Sequence, residues 1–222
     1  KDLWVYDMDG DYWTQCADMP DEAIGRHSAA SFALNGKGYV TTGAQKNETT
    51  NLADTWEYDP NTDTWTQKDD FGGGARYGAL AFSIGGYGYV GTGYNDNHLK
   101  DFYRFDPAAA SGQQWKIVNG FGGYKRYYGT AFVIDDVAYI CCGQNNSTLV
   151  DDLWRFDGTD WKHFRSQACA GRVETMLLHE LPTDADKRLL HIRDQLRLYE
   201  DDYAEELLGE FLNILEKEEG DK

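Results

Sequence analysis

The chain has 222 residues, a formal charge of −17 and an isoelectric point near 4.5. Phosphate binding needs Lys and Arg to release counterions, so this balance argues against nucleic acid or an anionic membrane as partner. No run approaches the roughly 18 apolar residues of a membrane span, and 7 Trp, 15 Tyr and 24 Gly against 4 Pro suit many short, tightly turned strands.

In chain order, the first elements are two strands, one in Asp2-Leu3-Trp4-Val5-Tyr6-Asp7 and one around Trp13. The opening Lys1-Asp2-Leu3-Trp4 lacks signal-peptide design. Strand a of the next unit is expected over His27 to Leu34 and strand b over Lys37 to Gly43, joined at Asn35-Gly36, a pair suited to a turn with positive φ at both positions. Strand c follows over Ala53 to Asp59 and strand d over Asp63 to Gln67. The turn Asp59-Pro60-Asn61-Thr62-Asp63 joins them, with Pro presetting φ and Asp and Asn bonding their own backbone.

The same order then recurs from Tyr77 to Trp115 and from Tyr127 to Trp161, with Gly85-Gly86 and Asp135-Asp136 at the a–b turns. Arg26, Arg76 and Arg126 stand 50 residues apart, and so do Phe32, Phe82 and Phe132, then Tyr39, Tyr89 and Tyr139, then Gly43, Gly93 and Gly143. A later column reads Asp54-Thr55-Trp56, Asp101-Phe102-Tyr103 and Asp152-Leu153-Trp154, each leading to a further Trp at 65, 115 and 161. Such periodicity marks a repeat scaffold of four-stranded meanders. Strands such as Ala79-Leu80-Ala81-Phe82-Ser83-Ile84 do not alternate cleanly, as expected when both faces of a sheet are covered.

A unit of about 50 residues with Tyr-x-x-x-Gly in strand b and Asp-x-Trp-x-Tyr-Asp before a further Trp resembles the kelch repeat of the kelch and galactose-oxidase central-domain group. The usual Gly-Gly doublet at the end of strand b is replaced by Thr42-Gly43, Thr92-Gly93 and Cys142-Gly143, a variant more similar to bacterial kelch proteins. The resemblance implies a mostly β fold, a partial kelch propeller. Residues 1–166 hold a half blade plus three full blades, residues 167–181 a linker or stray strand, and residues 182–222 an amphipathic helical tail. It also points to a location outside the cytoplasm, in the periplasm or at the cell surface.

Kelch rings resemble one another in having about five to seven or more blades. Three and a half blades would therefore leave apolar end faces, to be covered by a second copy completing the ring, by the rest of a longer chain, or by the tail. The tail carries Leu189, Ile192, Leu196, Tyr199, Tyr203, Leu207, Phe211 and Leu215 at intervals of three or four, opposite a mostly charged face, which suits docking or assembly.

No catalytic set stands out, and no cofactor is expected. The five histidines occupy unlike places in the repeat, so the copper site of galactose oxidase does not carry over. Asp7-Met8-Asp9-Gly10-Asp11 lacks the closing Glu of a calcium loop, the Gly runs after Phe71 and Phe121 lack the following helix of a phosphate site, and the four Cys lack zinc-site spacing.

Repeat symmetry places Arg26, Arg76 and Arg126 on one rim, beside b–c loops carrying Gln45 and Asn47, Tyr94, Asn95 and His98, and Gln144 and Asn145. Read as ligand-binding, this set would take an acidic peptide segment or an anionic carbohydrate. Read structurally, each Arg ties its own loop to a neighbouring carboxylate. The main expectation is a non-catalytic binding module with a protein or carbohydrate ligand. The alternatives are a sugar-modifying enzyme similar to sialate mutarotases, which a carboxylate within reach of an Arg would support, and an arc that only self-associates.

Overall fold

A computed structural model of the chain describes residues 1–46 and 50–163. Asn47, the linker and the tail lie outside those residues. The chain divides into two units, Lys1–Phe164 and Arg165–Lys222, and only the first contains described residues.

The first unit opens with a hairpin, β1 (Leu3–Asp7) and β2 (Tyr12–Cys16), paired from Leu3↔Cys16 to Asp7↔Tyr12. The acidic turn between them closes on itself, since the Asp7 carboxylate accepts the Asp9 and Gly10 amides at 3.0 and 2.8 Å. Three four-stranded antiparallel sheets follow, resembling the blades of a propeller. The first runs β3 (Ala30–Leu34), β4 (Lys37–Thr41), β5 (Thr55–Asp59) and β6 (Thr64–Lys68). The second comprises β7 (Leu80–Ile84), β8 (Tyr87–Gly91), β9 (Phe102–Phe105) and β10 (Trp115–Val118).

In the third sheet, β11 (Thr130–Ile134) and β12 (Val137–Cys141) pair ahead of a small hairpin, β13 (Gln144–Asn145) with β14 (Thr148–Leu149). The sheet then completes through β15 (Leu153–Phe156) and β16 (Trp161–His163). The order within each sheet is the meander expected of the repeat.

Local chemistry sets the turns. Asn35 and Gly36 both adopt positive φ, 53° and 74°, as do Gly85-Gly86 and Asp135-Asp136. Asp59 caps its own turn by accepting the Asn61 amide at 2.9 Å. Strand a is shorter than expected, because residues 27 to 29 leave the ladder for an isolated bridge, His27↔Ala44, and Ser28 turns to φ 54°.

Between sheets the core is aromatic. Phe82 stacks on Tyr89 at 5.2 Å, and this pair receives Phe156 and Trp161 of the third sheet edge-on at 5.3 to 6.4 Å. Phe32 and Tyr39 stack alike at 5.0 Å and receive Phe105 of the second sheet. Offset and edge-on packing suits the ring quadrupoles, so the first two a–b pairs are sockets for aromatic rings of the following sheet. Phe132 and Tyr139 form the same stack, yet Phe132 is 42% exposed where Phe82 is 4%.

Backbone bonds also cross between sheets. The Gly43 and Gly93 amides donate to the Arg76 and Arg126 carbonyls at 2.8 and 2.7 Å, and the Gly78 and Tyr128 amides donate to the Ser28 and Gly78 carbonyls at 2.9 Å. Sheet-to-sheet orientation is thereby fixed by directional bonds at the ends of strands a and b, where the loops converge.

Candidate functional site

Each repeat Arg enters just before strand a and turns back into its own sheet. Arg26 meets Asp54 through two parallel bonds of 2.7 and 2.5 Å, Arg76 meets Asp101 at 2.6 and 2.9 Å, and Arg126 meets Asp152 at 2.6 and 2.7 Å. The three Arg side chains are only 5%, 1% and 0% exposed. The NH1 groups also donate to the carbonyls of Thr42, Thr92 and Cys142 at 3.2, 2.9 and 3.1 Å. Arg76 in addition gives Nε to Gly74 and NH2 to Gly73, so all five of its N–H donors are used.

This arrangement explains the Thr-Gly variant. Thr42, Thr92 and Cys142 sit at φ 59° to 60°, a left-handed conformation uncommon for any residue with a Cβ and an outlier for the two β-branched Thr. Their carbonyls are the ones that accept from the guanidiniums, so a charge-assisted bond offsets the local cost. The following Gly cannot be replaced: a Cβ on Gly93, itself at φ 95°, would stand 2.9 Å from the Tyr77 carbonyl oxygen.

The carboxylates are held in turn. Trp56 and Trp154 donate indole N–H to Asp54 and Asp152 at 2.6 and 2.8 Å. In the second sheet Tyr103 takes the Trp place, and Asp101 is 30% exposed against 20% for Asp54 and 12% for Asp152. Burial raises the Asp54 pKa, but bonds from Arg26 and Trp56 outweigh it and hold the carboxyl below its ordinary range. Glu57 follows the same logic. Burial is opposed by Lys37, by the Tyr39 hydroxyl at 2.6 Å and by Lys68, and the net shift is downward.

The loops around these clasps carry an aromatic surface. Tyr94 lies 5.0 Å from the His98 ring, 5.7 Å from Tyr127 and 5.6 Å from Tyr77. Tyr127 lies 5.2 Å from His98 and 4.6 Å from Tyr128. Backbone pairing through the bridges Tyr77↔Tyr94, Tyr94↔His98 and Tyr127↔Gln144 holds the group.

Polar partners rim it. The Tyr127 hydroxyl donates to Gln144 Oε1 at 3.3 Å, and the Asn146 amide donates to His98 Nε2 at 3.1 Å, which places the His98 proton on Nδ1. His27 Nε2 lies 3.2 Å from the Gln45 carbonyl, which only accepts, so that nitrogen carries the proton. His27 Nδ1 then accepts from Ser28 Oγ at 3.0 Å, and Ser28 Oγ lies within hydrogen-bond distance of the Tyr128 hydroxyl at 3.2 Å.

Of the residues singled out in the sequence, Tyr94, His98 and Gln144 come together in this cluster. Gln45 holds its own loop through a backbone bond to Thr50, Asn95 turns its amide onto the Asn97 carbonyl, and Asn145 accepts from the Asn146 side chain at 3.4 Å. The three Arg do not form a shared group of free cations, because each is bound within its own sheet. Tyr77, Tyr127, Tyr128 and Ser28 were not singled out, although they occupy the two columns directly after each Arg.

No protein-family model matches the chain, and no curated protein sequence does. Its sheets do match solved structures. One of them, titled Structure of YjhT, aligns over 69% of this chain with a TM-score of 0.59 and 20% identity. The four-stranded sheets of this chain are thus similar to blades of YjhT, a kelch-repeat propeller protein. The chain spans 55% of YjhT, about half its length, and the likeness at this identity shows the fold alone.

Proposed function

We propose that this chain is a binding module that takes a carbohydrate or a peptide segment on its loop face, without chemistry of its own. One observation carries the reading. The Tyr77, Tyr94, His98, Tyr127 and Tyr128 rings are gathered at the strand ends by the two loops that enter strand a of the second and third sheets and by the b–c loop of the second, with amide and hydroxyl groups at their edge.

Aromatic faces beside polar groups offer contact area with little side-chain entropy to lose on binding, and they orient a ligand by hydrogen bonds. The Arg column is engaged with carboxylates and with the carbonyls of Thr42, Thr92 and Cys142, which weakens the case for a strongly anionic ligand. The tail's part in assembly belongs to the same proposal.

The test is a screen of the purified chain on arrays of glycans and of acidic and neutral peptides, followed by calorimetry. Tyr94→Leu is expected to lower affinity for any captured ligand about tenfold or more, whereas Lys162→Ala, on β16, is expected to leave it unchanged. Equal binding by Tyr94→Leu and the native chain removes the loop face from the account.

A second reading, a sugar-modifying enzyme, has one favourable observation: carboxylates do lie within hydrogen-bond distance of the Arg residues. Asp101, the most exposed of the three, would be the acid–base group. Its bidentate engagement with Arg76 disfavours proton exchange, so the native chain is expected not to accelerate mutarotation of sialic acid. Acceleration that Asp101→Asn abolishes would replace the binding-module reading.

A further inference from the structure

Tyr128 is the odd member of its repeat column. Ser28, Gly78 and Tyr128 all adopt positive φ, at 54°, 64° and 55°. Glycine meets that requirement without penalty, whereas a bulky aromatic side chain there is an outlier. Strained positions cluster at functional sites, and here the strain places a ring in the open: Tyr128 is 49% exposed, beside buried Tyr77 and half-buried Tyr94 and Tyr127.

Neighbours hold the ring in position. The Tyr128 amide donates to the Gly78 carbonyl at 2.9 Å, and a Cβ on Gly78 would lie 3.1 Å from the Tyr128 ring, so glycine leaves room for its close approach. The hydroxyl reaches Ser28 of the first sheet at 3.2 Å, across the second sheet. Tyr128 therefore spans three repeats and presents a fixed face.

Resting on the loop-face reading, we infer that Tyr128 is the stacking platform for one ring of a neutral sugar. The chemistry is specific in two respects. The patch offers aromatic faces, which suit the C–H face of a pyranose, and its rim supplies hydroxyl, amide and imidazole groups from Ser28, Gln144 and His98, each with hydrogen-bonding capacity beyond its partners in the protein, which suit sugar hydroxyls. The three repeat guanidiniums are each matched by a carboxylate in the same sheet, so they leave no unpaired positive charge to select an anionic sugar.

The experiment is calorimetric titration with neutral oligosaccharides (gluco-, galacto- and manno-series) and with sialylated and uronic-acid oligosaccharides, each against the native chain, Tyr128→Phe and Tyr128→Gly. Glycine adopts positive φ without penalty, which offsets the loss of the ring's contacts, so Tyr128→Gly is expected to fold with a cooperative thermal transition. The expected result is neutral-sugar binding that Tyr128→Gly weakens about tenfold and Tyr128→Phe by less than about threefold, a stacking contribution of the usual size.

Undiminished binding by Tyr128→Gly overturns the inference. Binding confined to the acidic oligosaccharides overturns it too, while leaving the loop-face reading intact if Tyr94→Leu abolishes that binding. Capture of peptides only has the same effect. Capture of nothing, on these sugars or on the arrays, overturns both.

Discussion

Removing Arg126 separates a structural clasp from a ligand contact. The side chain is fully buried, its two bonds to Asp152 are 2.6 and 2.7 Å, and it also satisfies the Cys142 carbonyl at 3.1 Å and the Tyr124 carbonyl at 3.1 Å. Breaking a buried pair by deleting one partner costs about 3–5 kcal/mol, because the remaining charge is left uncompensated. Asp152 is 12% exposed and keeps its bond from Trp154, so water and the indole recover part of that cost and the lower end applies. For a domain of this size about 3 kcal/mol lowers the thermal midpoint by about 6–12 °C.

The assay is thermal or urea unfolding of Arg126→Met, Asp152→Asn and the double variant. The double variant should lose less than the two single losses combined, because the stranded charge is gone. Asp101→Asn should be milder than Asp152→Asn, since Asp101 is more exposed and has a Tyr where the other sheets have a Trp. A shift of under 2 °C for Arg126→Met, with strictly additive variants, would refute the clasp.

Three further outcomes follow from the same geometry. Gly93→Ala should lower stability by more than about 1 kcal/mol, read by urea unfolding, because φ is 95° and the new Cβ meets a backbone oxygen that cannot swing away. Asp54, Glu57, Asp63, Asp69 and Asp157 all have lowered pKa values in the folded chain. Their stabilisation is therefore present above the unfolded carboxylate values of about 4 and is lost as pH falls through the folded ones. Unfolding midpoints should fall steadily below pH 4, and a rise on acidification would contradict this. In native-state hydrogen exchange the Gly43 and Gly93 amides, bonded to the next sheet, should be protected as strongly as strand amides. Exchange at the rate of open loop amides would count against sheet-to-sheet bonding.

The fold was legible because its signals repeat. Asn35-Gly36, Gly85-Gly86 and Asp135-Asp136 mark three turns of one kind, and the Phe and Tyr columns at one period mark one packing solution used again. Strand starts were less legible: His27 to Ala29 runs into strand a without a turn signal, but its backbone is taken by the bridge to Ala44 and by the positive φ at Ser28. The site was legible in part. The Asp and Arg columns are both visible in the sequence, but spacing alone does not tell a guanidinium that pairs within its own sheet from one that faces a ligand. Tyr127 and Tyr128 were hidden by the abundance of Tyr in the sheets, and only their place in the two columns directly after the repeat Arg distinguishes them.

The most direct test of the division of labour between clasp and surface is a two-dimensional NMR titration of the native chain with the tightest-binding oligosaccharide or peptide from the arrays. The account predicts shifts at the backbone amides of Tyr94, His98, Tyr127, Tyr128 and Gln144, with the side-chain Nε–H signals of Arg26, Arg76 and Arg126 unmoved. Large shifts of those three Arg signals with the aromatic loops unchanged would contradict it.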